Sequence, residues 1–222
     1  MARRQQLSAE ELASGWGECI ASPEPSPLHA ERIRCVLEVL AGSRAARVAD
    51  LGCGSGALVR QLLRMQQFQR IVGVDTSQAA LSALERNLSQ ETRQSGRLVL
   101  VNGSFTEPHA LLRDVQAVAM LETIEHVEAQ RLSMVERAVF SVCRPQRVVM
   151  TTPNQEYNVL LGMAPGQRRE PGHCFEWSRA RFTAWATGVA RRNGYAVTFA
   201  GIGEADPELG SPTQMADFVL LP

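Results

Sequence analysis

Glu122, Glu125 and His126 stand at positions i, i+3 and i+4 within Leu121-Glu122-Thr123-Ile124-Glu125-His126-Val127. If that segment turns helically, about 100° per residue gathers all three side chains on one narrow face. Two carboxylates and an imidazole converging there are costly to bury among apolar neighbours and suit a divalent ion. The plainer alternative has Glu125 supporting a helix start and His126 at the surface. A second group is Asp50-Leu51-Gly52-Cys53-Gly54-Ser55-Gly56, where a strand turns into a helix. Glycines at that place let the backbone approach a ligand at the carboxyl edge of a sheet. Asp50 there suits a ligand ammonium. Asp75, ending the next strand, suits two ribose hydroxyls, with Thr76 beside it. Ser104 and Phe105 follow the third strand, where an adenine edge would lie, and Leu121 closes the fourth. A structural turn with capping Asp residues is the bland alternative. A dinucleotide site would keep a G-x-G-x-x-G rhythm, which this turn breaks.

The elements that must position these groups alternate. An amphipathic helix runs from Leu28 through Ile33, Val36, Leu37 and Leu40 to a stop at Gly42. Strands are expected at 47–51, 70–74, 98–101, 115–121 and 147–151, and helices at 57–65, 78–88 and 128–143. A helix over 178–193 and two closing strands, 196–200 and 214–220, finish the pattern. Such alternation predicts one α/β domain over 28–222, with a mostly parallel seven-stranded sheet, helices on both faces and a terminal antiparallel hairpin. Residues 1–27, with Ser22-Pro23-Glu24-Pro25-Ser26-Pro27, read as a leader, flexible at least in part.

Composition restricts the function classes. The chain has 222 residues, 45% hydrophobic and 21% charged, enough for one full-sized core. Its 23 Lys+Arg and 23 Asp+Glu cancel, so no net field draws it to a membrane or to nucleic acid. All the basic residues are Arg. No apolar run reaches the roughly 18 residues of a membrane span. The polar start gives no secretion signal, and five cysteines without C-x-x-C spacing suit reduced thiols, so a cytoplasmic protein is expected.

The glycine-turn half of the chain resembles the class I (Rossmann-like) methyltransferases, which use S-adenosylmethionine. Further along, Thr151-Thr152-Pro153-Asn154-Gln155-Glu156-Tyr157-Asn158, Pro171-Gly172-His173-Cys174-Phe175-Glu176-Trp177 and Gly210-Ser211-Pro212-Thr213-Gln214-Met215 join the E-x-x-E-H string. Together they resemble the small-RNA 3′-terminal 2′-O-methyltransferase family of the Hua-enhancer type, from about Pro27 to Phe218. That resemblance implies a cofactor site of Asp50, Gly52, Gly54, Asp75, Thr76, Ser104, Phe105 and Leu121. It implies one divalent ion on Glu122, Glu125, His126 and His173, which are also the catalytic set. The mixed oxygen–nitrogen donors favour Mn²⁺ or Co²⁺ over Mg²⁺. The ion would take the 2′ and 3′ hydroxyls of the terminal ribose, lowering the pKa of the 2′-OH. Pro27-Leu28 and Arg32 resemble the family's P-L-x-x-x-R helix, placing Arg32 near the RNA end, and Asn154 would line the same pocket. Arg32 equally fits a solvated helix position and Asn154 a turn cap. Arg168 and Arg169 are candidates for phosphate contact, while Phe175 and Trp177 read as core.

The implied partners are the 3′ end of a small RNA and an RNA-loading protein of the Argonaute or Piwi type. A monomer gripping only the last few nucleotides is expected. Many family members have H-D-H before the F-E-W triplet, whereas this chain has Pro171-Gly172-His173, and Arg181 stands where Glu would complete a capping box with Ser178. Two other readings remain open: a small-molecule O-methyltransferase acting on a catechol or quinone precursor, and an RNA-end-binding module without catalysis.

Overall fold

The computed structural model describes residues 26–222; the expected leader lies outside the described residues as far as residue 25. The first helix, α1 (Pro27–Ala41), starts where Ser26 accepts a hydrogen bond from the His29 amide and Pro27 supplies a preset φ. The strands are β1 (Arg47–Leu51), β2 (Arg70–Asp75), β3 (Leu98–Asn102), β4 (Ala117–Leu121), β5 (Arg147–Pro153), β6 (Tyr195–Ile202) and β7 (Thr213–Leu220). They form one sheet in the order β3-β2-β1-β4-β5-β7-β6, with β7 antiparallel to both neighbours and every other pair parallel. The expected sheet and closing hairpin are therefore present.

Helices cover both faces. On one, α1, α2 (Ala57–Arg64) and α3 (Gln78–Arg86) bury Ile33, Leu40, Leu58, Leu62 and Leu84. Several boundaries differ from the sequence expectation. Ser89 caps a separate short helix, α4 (Gln90–Gln94), after α3 ends at Arg86. The helix expected over 128–143 is a 3₁₀ turn (Ala129–Arg131), one α turn, α5 (Leu132–Val135), and a π-helical stretch (Glu136–Cys143). On the other face of the sheet, Phe140, Phe182 of α6 (Arg179–Asn193) and Phe218 pack against Val118 and Met120. Among the described residues no helix is long and apolar enough to cross a membrane.

The strand order decides where a ligand can enter. From β1 the chain moves outward to β2 and β3, then returns to pair β4 with the opposite side of β1. Such a reversal leaves a crevice at the carboxyl ends of the two central strands. Gly52 follows β1 there, and Glu122 follows β4.

Candidate active site

The glycine turn is held from both sides. The amides of Gly52 and Cys53 donate to Val74 O at 2.8 and 3.0 Å. The Gly54 amide donates to Asp75 Oδ2 at 2.7 Å, and the Ser77 amide to Asp75 Oδ1 at 2.8 Å. Gly52 has φ 82°, and a Cβ there would lie 2.4 Å from Thr123 Cγ2, so the turn that follows β1 abuts the turn that follows β4. A cleft of about 410 Å³ opens beside it, lined by Gly52, Asp75, Thr76, Ser104 and Phe105 and continuing to Glu122 and His126. Five of the eight expected cofactor residues therefore share one cavity. The other three do not line it: Gly54 spends its amide on Asp75, Leu121 packs into the core beneath α1–α3, and Asp50 is buried in β1. Burial, with the nearby Asp75 carboxylate adding to it, pushes the Asp50 carboxyl up to about 7.

Glu122 does not begin a helix. Its φ is 51°, a left-handed conformation rare outside glycine, and its amide is shared between Thr151 Oγ1 (3.0 Å) and Thr151 O (3.2 Å). Only Ile124–His126 forms a 3₁₀ turn, so the common helical face expected from the i, i+3, i+4 spacing is absent. What the fold does bring together is Glu125, His126 and His173, whose ligand-type atoms all lie within 4.8 Å of one another. His173 comes from a distant loop. The amides of Cys174 and Phe175, next along that loop, both reach Glu125 O, at 2.6 and 3.4 Å.

Each imidazole is oriented by its Nδ1. His126 Nδ1 is 3.1 Å from Gly172 O, a group that can only accept, so this nitrogen carries the proton. His173 Nδ1 is 2.6 Å from Glu176 Oε1. Burial alone would raise Glu176, but hydrogen bonds from Asn158 Nδ2, the Arg169 amide and His173 outweigh it and hold the group below the usual carboxylate range. An ionised Glu176 makes His173 Nδ1 the donor. With each Nδ1 engaged, Nε2 is the nitrogen of each ring left to face a ligand, the arrangement common to metal-bound histidines.

Glu125 Oε2 accepts from Thr152 Oγ1 at 3.0 Å, whereas its Oε1 is buried without a partner among the described residues. Burial, and then the neighbouring Glu122, lift its carboxyl well above the ordinary range. Glu122 is not one of the three clustered donors. Its Oε2 lies 2.9 Å from Arg32 Nη2, and its Oε1 is again buried and unpartnered among the described residues. Burial raises this carboxyl too, with Arg32 opposing the rise. Two orphaned, desolvated carboxylate oxygens beside two imidazoles fit a divalent cation, which would satisfy the oxygens and offset their burial.

Other expected contacts turn inward. Asn154 Nδ2 donates to Leu209 O and Ser211 O, while Oδ1 accepts from the Glu156 amide, so this side chain ties its own turn, as the turn-cap alternative describes, to the loop over 209–211. Arg169 donates to Asn158 Oδ1, Pro212 O and Asn154 O and so braces the loop, whereas Arg168 gives Nη1 to His173 O and stays exposed. Phe175 and Trp177 stack at 4.2 Å and pack against the core, as expected. Sequence reasoning overlooked Glu176, Thr151, Thr152 and Thr213. The Glu three residues after His173 in H-x-F-E-W was the one available signal.

Comparisons with known proteins place the chain among methyltransferases. Residues 48–146 match a family model described as a methyltransferase domain. The chain is 32% identical over 211 residues to the small RNA 2′-O-methyltransferase of Arabidopsis thaliana, covering 86% of this chain and 22% of that protein. Against the small RNA 2′-O-methyltransferase of Xenopus tropicalis, identity is 32% over 185 residues, covering 80% of this chain and 50% of that one. The crystal structure of the methyltransferase domain of bacterial CtHen1 superposes with a TM-score of 0.79 at 39% identity, covering 88% of this chain and all of that one (100%). The chain thus spans half the length, or less, of these two curated relatives.

Proposed function

The chain belongs to the small RNA 2′-O-methyltransferase family of the Hen1 type, and from that premise we propose that it methylates the 2′-hydroxyl at the 3′ end of a small RNA. One observation carries the reading: a single cleft runs from Gly52 and Asp75 to Glu122 and His126, so a methyl donor and a metal-held acceptor would meet in one cavity. S-adenosylmethionine, bound at the glycine turn, would supply an activated methyl group. The residues around it fit its chemistry. Asp75 offers acceptors toward ribose hydroxyls and Phe105 an apolar wall to a purine, while Asp50, buried in β1 behind the glycine turn, would gain its charge opposite a cationic amino group.

Across the cleft, Glu125, His126 and His173, with Glu122 beside them, would hold a divalent ion, of which Mn²⁺ or Co²⁺ best suits the mixed donors. Such an ion supplies Lewis acidity, which makes a hydroxyl nucleophilic near neutral pH. The chain's own contribution is orientation. Glu176 and Gly172 O fix the two imidazoles, Thr152 fixes Glu125, and the loop amides at Cys174 and Phe175 lock the His173 loop to Glu125. A site whose donors are set in advance favours a rigid vicinal diol, and this accounts for a preference for an RNA terminus.

Labelled S-adenosylmethionine, a short RNA with a free terminal diol and a small catechol test the assignment side by side. Label on the RNA alone supports it. Label on the catechol alone overturns it in favour of a small-molecule O-methyltransferase, and cofactor binding without transfer to RNA points to an end-binding module.

A further inference from the structure

Arg32 reaches from α1 into the site. Its Nη2 lies 2.9 Å from Glu122 Oε2, and its Nε donates to Thr213 Oγ1 at 2.7 Å. The two side chains of the ion pair are 14% and 15% exposed, and Thr213, at the start of β7, is fully buried. One guanidinium therefore ties three elements together: α1, the turn after β4, and β7. Glu122 needs such a tie. It follows β4 with a left-handed backbone, and its own amide anchors it to Thr151. With Oε2 engaged by Arg32, Oε1, buried and without a partner among the described residues, is the oxygen left to meet a cation.

We propose that Arg32 is a positioning residue of the metal centre: it docks α1 onto β7 and fixes Glu122 so that this carboxylate presents one oxygen. The proposal rests on the divalent-ion reading of the site. It gives Arg32 a role different from contact with the RNA end, and it makes the seating of α1 a condition for full metal affinity. The planar fork matters here, because Nε and Nη2 act at once along two directions, and a lysine ammonium on a flexible stem cannot reproduce both.

The test is Mn²⁺ binding to the full chain, followed by calorimetry, without RNA or cofactor. Circular dichroism and binding of S-adenosylhomocysteine report that each variant is folded. Arg32→Lys is expected to weaken Mn²⁺ by roughly tenfold to a hundredfold, the range found when groups supporting metal ligands are removed. Thr213→Val keeps the charge and the shape but removes one anchor, and is expected to give a smaller loss in the same direction. Folded Arg32→Lys that binds Mn²⁺ as tightly as the parent, or more tightly, overturns the proposal. Unchanged Mn²⁺ affinity with weakened RNA binding also overturns it and assigns Arg32 to the RNA. If the parent chain binds no Mn²⁺, the metal reading itself fails and the role of Arg32 falls with it.

Discussion

Glu176 Oε1 lies 2.6 Å from His173 Nδ1, and both oxygens of that carboxylate are already committed as acceptors, to Asn158 Nδ2 on one side and to the Arg169 amide and His173 on the other. The T-T-P-N-x-E-Y-N and H-x-F-E-W strings therefore meet at one carboxylate, which in turn sets the tautomer of His173. Glu176→Gln puts an amide N–H against one of these donors. Metal affinity is expected to fall by roughly tenfold to a hundredfold, with the fold intact. Mn²⁺ titration of the variant checks this, and an unchanged affinity would remove Glu176 from the site.

Asn154 gives a test that separates architecture from recognition. Its side chain makes three hydrogen bonds to backbone groups and is buried. Asn154→Ala is expected to cost about 2–4 kcal/mol of stability, from lost bonds and newly unpaired buried groups. RNA affinity of the folded fraction should stay at the parent value. Binding assays at low temperature, beside denaturant melts, measure the two effects separately, and a selective loss of RNA affinity would return Asn154 to the substrate pocket.

Asp50 predicts a pH effect of definite sign. Its carboxyl is raised to about 7 in the folded chain, by burial first and Asp75 second, so the folded state holds a proton that the unfolded state releases near pH 4. The contribution is fully present below pH 4 and is lost as pH rises towards about 7. Asp50→Asn should therefore stabilise the cofactor-free protein at pH 8, removing a cost on the order of 4 kcal/mol, and flatten the pH dependence across that window. Cofactor affinity should fall in the same variant, because a cationic ligand is what restores the ionised form of Asp50. Thermal melts from pH 4 to 8, with and without S-adenosylmethionine, read both effects.

Gly52→Ala examines the junction between the two halves of the cleft. Left-handed backbone costs a non-glycine residue about 1–2 kcal/mol, and the new methyl would meet Thr123 Cγ2 at 2.4 Å. Stability should drop by more than the backbone cost alone, and cofactor affinity with it. The double variant with Thr123→Ser, which removes the clashing methyl, should recover part of the loss. No recovery would mean that the two turns do not press on each other.

Much of the fold was legible because hydrophobic alternation and glycine punctuation act locally. The seven strands and the helix ending at Asn193 fall close to their expected places. The π-helical run over Glu136–Cys143 was not legible, since its side-chain pattern resembles that of an α-helix. In the site, residue types were readable but their geometry was not. Glu122 looks helical by spacing, yet the Thr151 backbone and hydroxyl hold it in a left-handed turn. Arg169 and Asn154 looked like surface recognition groups because partners that use them lie up to 57 residues away along the chain. Such pairings arise from how loops pack, which no local pattern encodes.

The most direct measurement is methyl transfer from labelled S-adenosylmethionine to one short RNA prepared with three termini: a free diol, a 2′-deoxy end and a 3′-phosphate. Each is run with Mn²⁺ and with EDTA. The account predicts label on the diol RNA alone, only with metal, and its loss in His173→Ala. Equal labelling of the diol and 3′-phosphate RNAs, or labelling that survives EDTA, would contradict it.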